Sequence, residues 1–133
     1  MVILVVEDEV LIGMALCMIL RVAGYRVWGP AGTVDRALEM AASEAPDLAF
    51  VDLNLQGNAE GLDLARTLQR QHGTTCIFLT ANVSRAHEAR DAALGVIAKP
   101  YSFDAVLGAV EYAAAARNGE PSKPAPRALQ LFH

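Results

Sequence analysis

Three short runs of this chain are apolar at every position: Val2-Ile3-Leu4-Val5-Val6, Leu48-Ala49-Phe50-Val51 and Cys76-Ile77-Phe78-Leu79. A strand with one face in water alternates apolar and polar residues, whereas a strand apolar throughout is buried on both faces. A parallel sheet sandwiched between helices meets that demand. Two more β-rich runs, Arg26 to Trp28 and Val96 to Ala98, bring the set to five, and segments with helical spacing lie between them. Strict alternation of five strands with five helices predicts an α/β fold with right-handed crossovers.

The first helical segment puts Leu11, Met14, Ala15, Met18 and Val22 on one apolar stripe and stops at Gly24. The second opens at Thr33 as N-cap, carries Val34, Leu38, Ala41 and Ala45, and ends before Pro46. A third covers about Gly61 to Gln71 with Leu64, Ala65 and Leu68. The fourth, Ser84 to Leu94, has a poor stripe and is expected to be short, irregular or mobile. The fifth starts near Ser102 and presents Val106, Val110 and Ala113. Residues 1–117 form one α/β domain on this reading. Residues 118–133, with Pro121, Pro124 and Pro126, read as a flexible proline-rich tail. Its apolar end, Ala128 to His133, is expected to be an exposed chain end before it is a docking peptide or a flap onto the body.

Fifteen acidic against eleven basic residues give a net charge of −4, the wrong sign for direct nucleic-acid binding. Polybasic membrane-binding segments are missing. The apolar start runs straight into Glu7-Asp8-Glu9, unlike a signal peptide, and no run approaches the ~20 residues of a membrane span. Cys17 and Cys76 sit in apolar stretches and read as core. A cytoplasmic, reducing setting is expected.

Ligands of open α/β sheets bind at the carboxyl ends of the strands. Strand one ends in Glu7 and Asp8, strand three in Asp52, strand four in Thr80 and strand five in Lys99. With a strand order of 2-1-3-4-5 these five share one crevice. Carboxylates at ~5 Å repel by about 3 kcal/mol per pair at an effective dielectric of ~20. Such a cluster persists by taking a proton or a cation, and oxygen donors with room for water suit Mg²⁺ better than Zn²⁺. Carboxylate, hard cation, lysine and hydroxyl together make a phosphoryl-transfer site. Singly, each residue has a plainer role: Glu7 and Asp8 capping a helix, Asp52 forming a turn, Lys99 a solvated charge. Their coincidence at four strand ends is what favours chemistry.

Val5-Val6-Glu7-Asp8-Glu9, Asp47 to Leu55, Leu79-Thr80-Ala81 and Ala98-Lys99-Pro100-Tyr101 resemble the response regulator receiver (CheY-like) domains of bacterial two-component signalling, over residues 2 to about 116. The resemblance implies a flavodoxin-like, doubly wound parallel sheet of five strands in the order 2-1-3-4-5, with helices on both faces. It implies that Asp52 accepts a phosphoryl group from a sensor histidine kinase or histidine phosphotransfer protein. Asp8 and Asp52 would bind Mg²⁺ with the backbone carbonyl of Asn54, and Glu7 would hold a metal-bound water. Lys99 and Thr80 would contact the phosphoryl oxygens. Ala81 and Asn82 would flank the group, with Asn54 and Asn82 tuning its loss to water.

Two departures follow from the resemblance. Receiver domains usually carry Tyr or Phe at the position of Val96, so an aromatic switch there is excluded. Tyr101 is then packing. The interval from Thr80 to Lys99 is short for the family, which points output to residues 81–95 or to the surfaces of the first and fifth helices. A phosphorylation-dependent surface would engage a downstream protein. Enzymatic activity is expected only in the domain's own phosphorylation and dephosphorylation. G-x-G-x-x-G after strand one and the P-loop pattern are both missing. Gly57 and Gly61 read as turn residues. His72, His87 and His133 show no ligand spacing and read as surface. Two alternatives remain: a degenerate receiver binding constitutively, and a Mg²⁺-dependent phosphatase with an aspartyl nucleophile. The phosphatase lacks a second carboxylate at Asn54.

Overall fold

Each all-apolar run becomes a strand of the sheet interior. A computed structural model describes residues 1–55, 60–120 and 124–132. Its elements are β1 (Val2–Val6), α1 (Val10–Val22), β2 (Arg26–Ala31), α2 (Val34–Ser43), β3 (Leu48–Asp52), α3 (Glu60–His72), β4 (Thr75–Thr80), α4 (Val83–Ala86), β5 (Gly95–Ala98), α5 (Phe103–Arg117) and β6 (Leu129–Leu131). The sheet runs β2-β1-β3-β4-β5-β6. The first five strands are parallel in the expected order, and β6 lies antiparallel on β5.

Strand alternation divides the core in two. Ile3, Val5, Leu48, Phe50, Ile77 and Leu79 face α1 and α5. Leu4, Val6, Ala49, Val51, Cys76 and Phe78 face α2, α3 and α4. Both cysteines are buried and unpaired. Thr33 Oγ1 accepts from the Arg36 amide and Ser102 Oγ from the Ala105 amide, fixing the starts of α2 and α5. Among the described residues no helix is long and apolar enough to cross a membrane.

Four expectations need correction. In α1 the core face is Gly13, Leu16, Cys17 and Leu20. The stripe of Leu11, Met14, Met18 and Val22 points to solvent, with Leu11 82% and Val22 84% exposed. A helix apolar on nearly every side has no periodic signal to fix which side is buried. Gly61 is no turn residue. It lies buried in the first turn of α3, where a Cβ would come within 2.6 Å of the Asp52 carbonyl oxygen and 2.8 Å of that of Leu53. Helix and strand approach there more closely than any side chain allows.

The third concerns the segment after Thr80, which is a single turn of α4 continued by a 3₁₀ turn, His87–Ala89. Its shortness was expected; the extent of Ser84 to Leu94 as one helix was not met. Fourth, the chain end is not free along 129–132, although the Gln130 side chain stays exposed. Leu129, Gln130 and Leu131 pair with Ile97, Val96 and Gly95, and the Phe132 amide donates to Leu94 O at 2.9 Å. Leu129 is buried in the α1/α5 core. An edge strand with unpaired backbone groups and a short apolar segment within reach satisfy one another. Gly57 and His133 lie outside the described residues.

Candidate functional site

Parallel register brings the carboxyl ends of β1, β3, β4 and β5 level. Val6 pairs with Val51, Asp52 with Leu79, and Thr80 with Ala98. The next residues therefore converge: Glu7 and Asp8 after β1, Asp52 closing β3, Thr80 closing β4 and Lys99 after β5. The Lys99 amide donates to Thr80 O at 2.8 Å, and the Glu7 amide to Ala31 O at 2.9 Å. These bonds anchor both flanks of the cleft.

The cleft, about 360 Å³, is lined by Asp8, Asp52, Asn54, Thr80, Ala81, Asn82 and Lys99 among others. Asp52 is buried, and its two oxygens have different partners. Oδ1 accepts from the Asn54 amide at 3.1 Å, and Oδ2 is 3.4 Å from Lys99 Nζ. The same ammonium is 3.6 Å from Glu7 Oε1. Carboxylate oxygens of Glu7, Asp8 and Asp52 all lie within 4.8 Å of one another. Thr80 Oγ1 accepts from the Asn82 amide at 2.9 Å, leaving its proton for an acceptor in the cleft. Asn82 Oδ1 in turn accepts from the Arg85 amide and caps α4.

Glu7 carries the electrostatic tension of the site. Its side chain is wholly buried, yet neither carboxylate oxygen has a hydrogen-bond partner. Burial first, then a bond its protonated form can make to Asp52 and the repulsion of the Asp52 charge, push its pKa up to about 8, against the pull of Lys99. Burial acts to lower the pKa of Lys99, but attraction to Asp52 and Glu7 outweighs it and leaves the ammonium above its ordinary value. Burial pushes the Tyr101 hydroxyl up to about 12, and that hydroxyl is also unpartnered.

Two orphaned, buried carboxylate oxygens beside two further carboxylates make a donor set suited to a hard divalent cation such as Mg²⁺. All the residues read from strand ends thus meet in one place. Val96 does not: it is fully buried in the core facing α2, α3 and α4. Glu9 and Arg85 also line the cleft and were missed in the sequence. The signal for Arg85 was its place three residues beyond the capping Asn82.

The fold and cleft define a flavodoxin-like (CheY-like) α/β domain with an acidic cleft at the carboxyl edge of the sheet. The description "Response regulator receiver domain" matches residues 3–111, and the chain belongs to that family. It is similar to the transcriptional regulatory protein PdtaR of Mycobacterium tuberculosis, 35% identical over 84% of this chain and 55% of that protein. The sensory transduction protein LytR of Staphylococcus haemolyticus is 33% identical over 80% of this chain and 43% of its own length. The chain spans about half the length of these curated relatives. Among solved structures it resembles the receiver domain of NtrX from Brucella abortus, with 34% identity, a TM-score of 0.76, and coverage of 84% of this chain and 96% of that one. It also resembles the signal receiver domain of a modulated diguanylate cyclase from Desulfovibrio desulfuricans, with 29% identity, a TM-score of 0.79, and coverage of 90% and 98%.

Proposed function

We propose that this chain is a phosphoacceptor whose Asp52 receives a phosphoryl group from the phosphohistidine of a sensor kinase or histidine phosphotransfer protein. One observation carries the reading: the buried Asp52 carboxylate is held between the Lys99 ammonium and the Asn54 amide, with Glu7 and Asp8 beside it. An Asp52 oxygen attacks phosphorus as the phosphorus–nitrogen bond breaks. The electron pair leaves with the imidazole, which takes a proton, and an acyl phosphate remains on Asp52.

Lys99 pairs with the charge arriving on the phosphoryl oxygens, and Thr80 donates its hydroxyl proton to one of them. Asp8 and Asp52, the Asn54 carbonyl, and Glu7 through a water would hold Mg²⁺. When bound, the ion offsets the negative charge that carboxylates and phosphoryl group would otherwise share. Asn54 and Asn82 flank the group and set how water reaches it.

The donor needs a place to dock, and α1 supplies one. An apolar groove of about 590 Å³, lined by Leu11, Ile12, Ala15, Tyr101 and Phe103, meets the cleft at Ala81 and Lys99. Exposed apolar surface of this extent beside a reactive carboxylate suits a protein donor. The downstream target on this reading is a protein as well, since a net charge of −4 gives these residues no general attraction for nucleic acid. On this reading the chain works in the cytoplasm.

Incubation with Mg²⁺ and acetyl phosphate, followed by the intact mass, tests the reading. We expect one alkali-labile phosphoryl group, lost in Asp52→Asn. Steady hydrolysis of added phosphomonoesters would instead mark a phosphatase. Labelling by neither acetyl phosphate nor a histidine kinase would mark a constitutive binding module.

A further inference from the structure

The chain end is seated by more than its three-residue ladder. Pro126 rests on Gly108 of α5, where an added Cβ would come within 3.2 Å of its ring. Gly95 of β5 has no room for a side chain, since a Cβ would run into the Gln130 carbonyl oxygen. Phe132 meets the His87 ring edge to face, with centroids 4.9 Å apart. Two positions without side chains thus receive the segment, and its last described residue touches the 3₁₀ turn after α4.

That touch leads to the cleft. Thr80 is tied to Asn82 by the amide–hydroxyl bond, Asn82 caps α4, and α4 has only four residues before His87. A displacement of residues 80–82 therefore reaches His87 within a single helical turn. On its other side the 3₁₀ turn is held by Arg66, whose guanidinium donates to Glu88 O at 2.8 Å. Of the two attachments the exposed His87 on a half-buried Phe132 is the weaker, because it is one ring contact without a hydrogen bond.

We propose that the outer edge of β5 is a strand-docking site whose resident occupant, the chain's own residues 124–132, is loosened when the Asp52 cleft is filled. An anion bonded to Asp52 and Lys99 accepts a hydrogen bond from the Thr80 hydroxyl and draws Thr80 and Asn82 toward itself. The α4 turn follows, and His87 leaves Phe132. Linkage makes the effect reciprocal: a chain with a weakened strap binds a cleft ligand more tightly. The direction of coupling rests on the cleft being the phosphoryl site.

Amide exchange of residues 129–132 in the full chain, without ligand and with Mg²⁺ plus beryllofluoride, reads the strap directly. The expected result is exchange faster by at least about five-fold, with the amides of β1 and β3 unchanged and no effect in Asp52→Asn. Phe132→Ala, which removes the ring contact with His87 and the packing of the ring on the core facing α2, α3 and α4, should tighten beryllofluoride binding by about the same factor. Leu129→Asn, which weakens the ladder, should act in the same direction. Unchanged or slower strap exchange with the cleft demonstrably filled would overturn the coupling while leaving the phosphoacceptor reading intact. If neither Mg²⁺ nor beryllofluoride perturbs Asp52, the phosphoacceptor reading fails and takes the coupling with it.

Discussion

The carboxylates of the cleft stand at β1 and β3, its hydroxyl and ammonium at β4 and β5, and beside the hydroxyl the sheet face opposite α1 and α5 is the more lightly built. Behind the acidic half lie α1 and α3, each of 13 residues. Both approach through a buried glycine: Gly13 against Pro30 and Glu7, and Gly61 against the backbone of Asp52. Behind the other half α5 covers one face of the sheet, but the opposite face ends in α4, four residues long, and then a 3₁₀ turn leaning on Phe132. Like charges need a scaffold that cannot relax away from them. Groups that close on a ligand need one that can move.

Removing the central charge is the harshest test of this division. Asp52→Asn should abolish phosphorylation by acetyl phosphate, read by intact mass. It should also raise the thermal midpoint of the metal-free protein, because one repelling carboxylate is gone while Lys99 still faces Glu7. An unchanged or lower midpoint would mean that the acidic half is not under tension.

The pH dependence sharpens the same point. Glu7 has its pKa raised from 4.5 to about 8 in the metal-free fold, first by burial and then by Asp52. Between those values the folded state holds a proton that the unfolded chain has lost, so stability falls as pH rises. The slope from this group is at most about 1.4 kcal/mol per pH unit. Urea unfolding at a series of pH values should show the decline. Saturating Mg²⁺ should flatten it, since a cation favours the ionised carboxylate that the bare site penalises. A decline equally steep with the ion present would detach Glu7 from the metal.

The site was more legible in the sequence than the surfaces around it, for a physical reason. Strand ends follow from short, fully apolar runs, and parallel register then brings Glu7, Asp8, Asp52, Thr80 and Lys99 together whatever the helices do. The face of α1 was misread because its apolar residues surround the axis, so that choosing between Leu16 and Met18 needs the neighbouring sheet. The chain end was misread because Leu129 to Leu131 is too short to be a strand alone. Only the unpaired edge of β5, remote in sequence, makes it one. Arg85 entered the cleft unannounced because α4 is too short to show a period.

Gly61→Ala strikes the rigid half without touching a charge. The new methyl would meet the carbonyl oxygens of Asp52 and Leu53 at 2.6 and 2.8 Å. Backbone cannot rotate aside as a side chain does, so α3 must withdraw. A loss of about 1 to 3 kcal/mol in urea unfolding is expected, together with slower phosphorylation as the Asp52 carboxylate loses its backing. Full stability with full activity would show that the close approach is incidental.

The smallest effect is expected on the lightly built half. Asn82→Ala removes the side-chain acceptor that caps α4, a change worth about 1 kcal/mol in an ordinary helix. Here most of it should not reach the global stability. The turn is one α turn long and is pinned at its far end by Arg66. Uncapping it therefore frays a segment that the rest of the sheet does not depend on. Amides of residues 83–89 should exchange faster while those of β1 and β3 keep their protection, as expected of a local opening and not a global one. Should Asn82→Ala instead lower protection throughout the sheet as much as Gly61→Ala does, the two halves would be equally coupled to the core, and their difference in build would be without consequence.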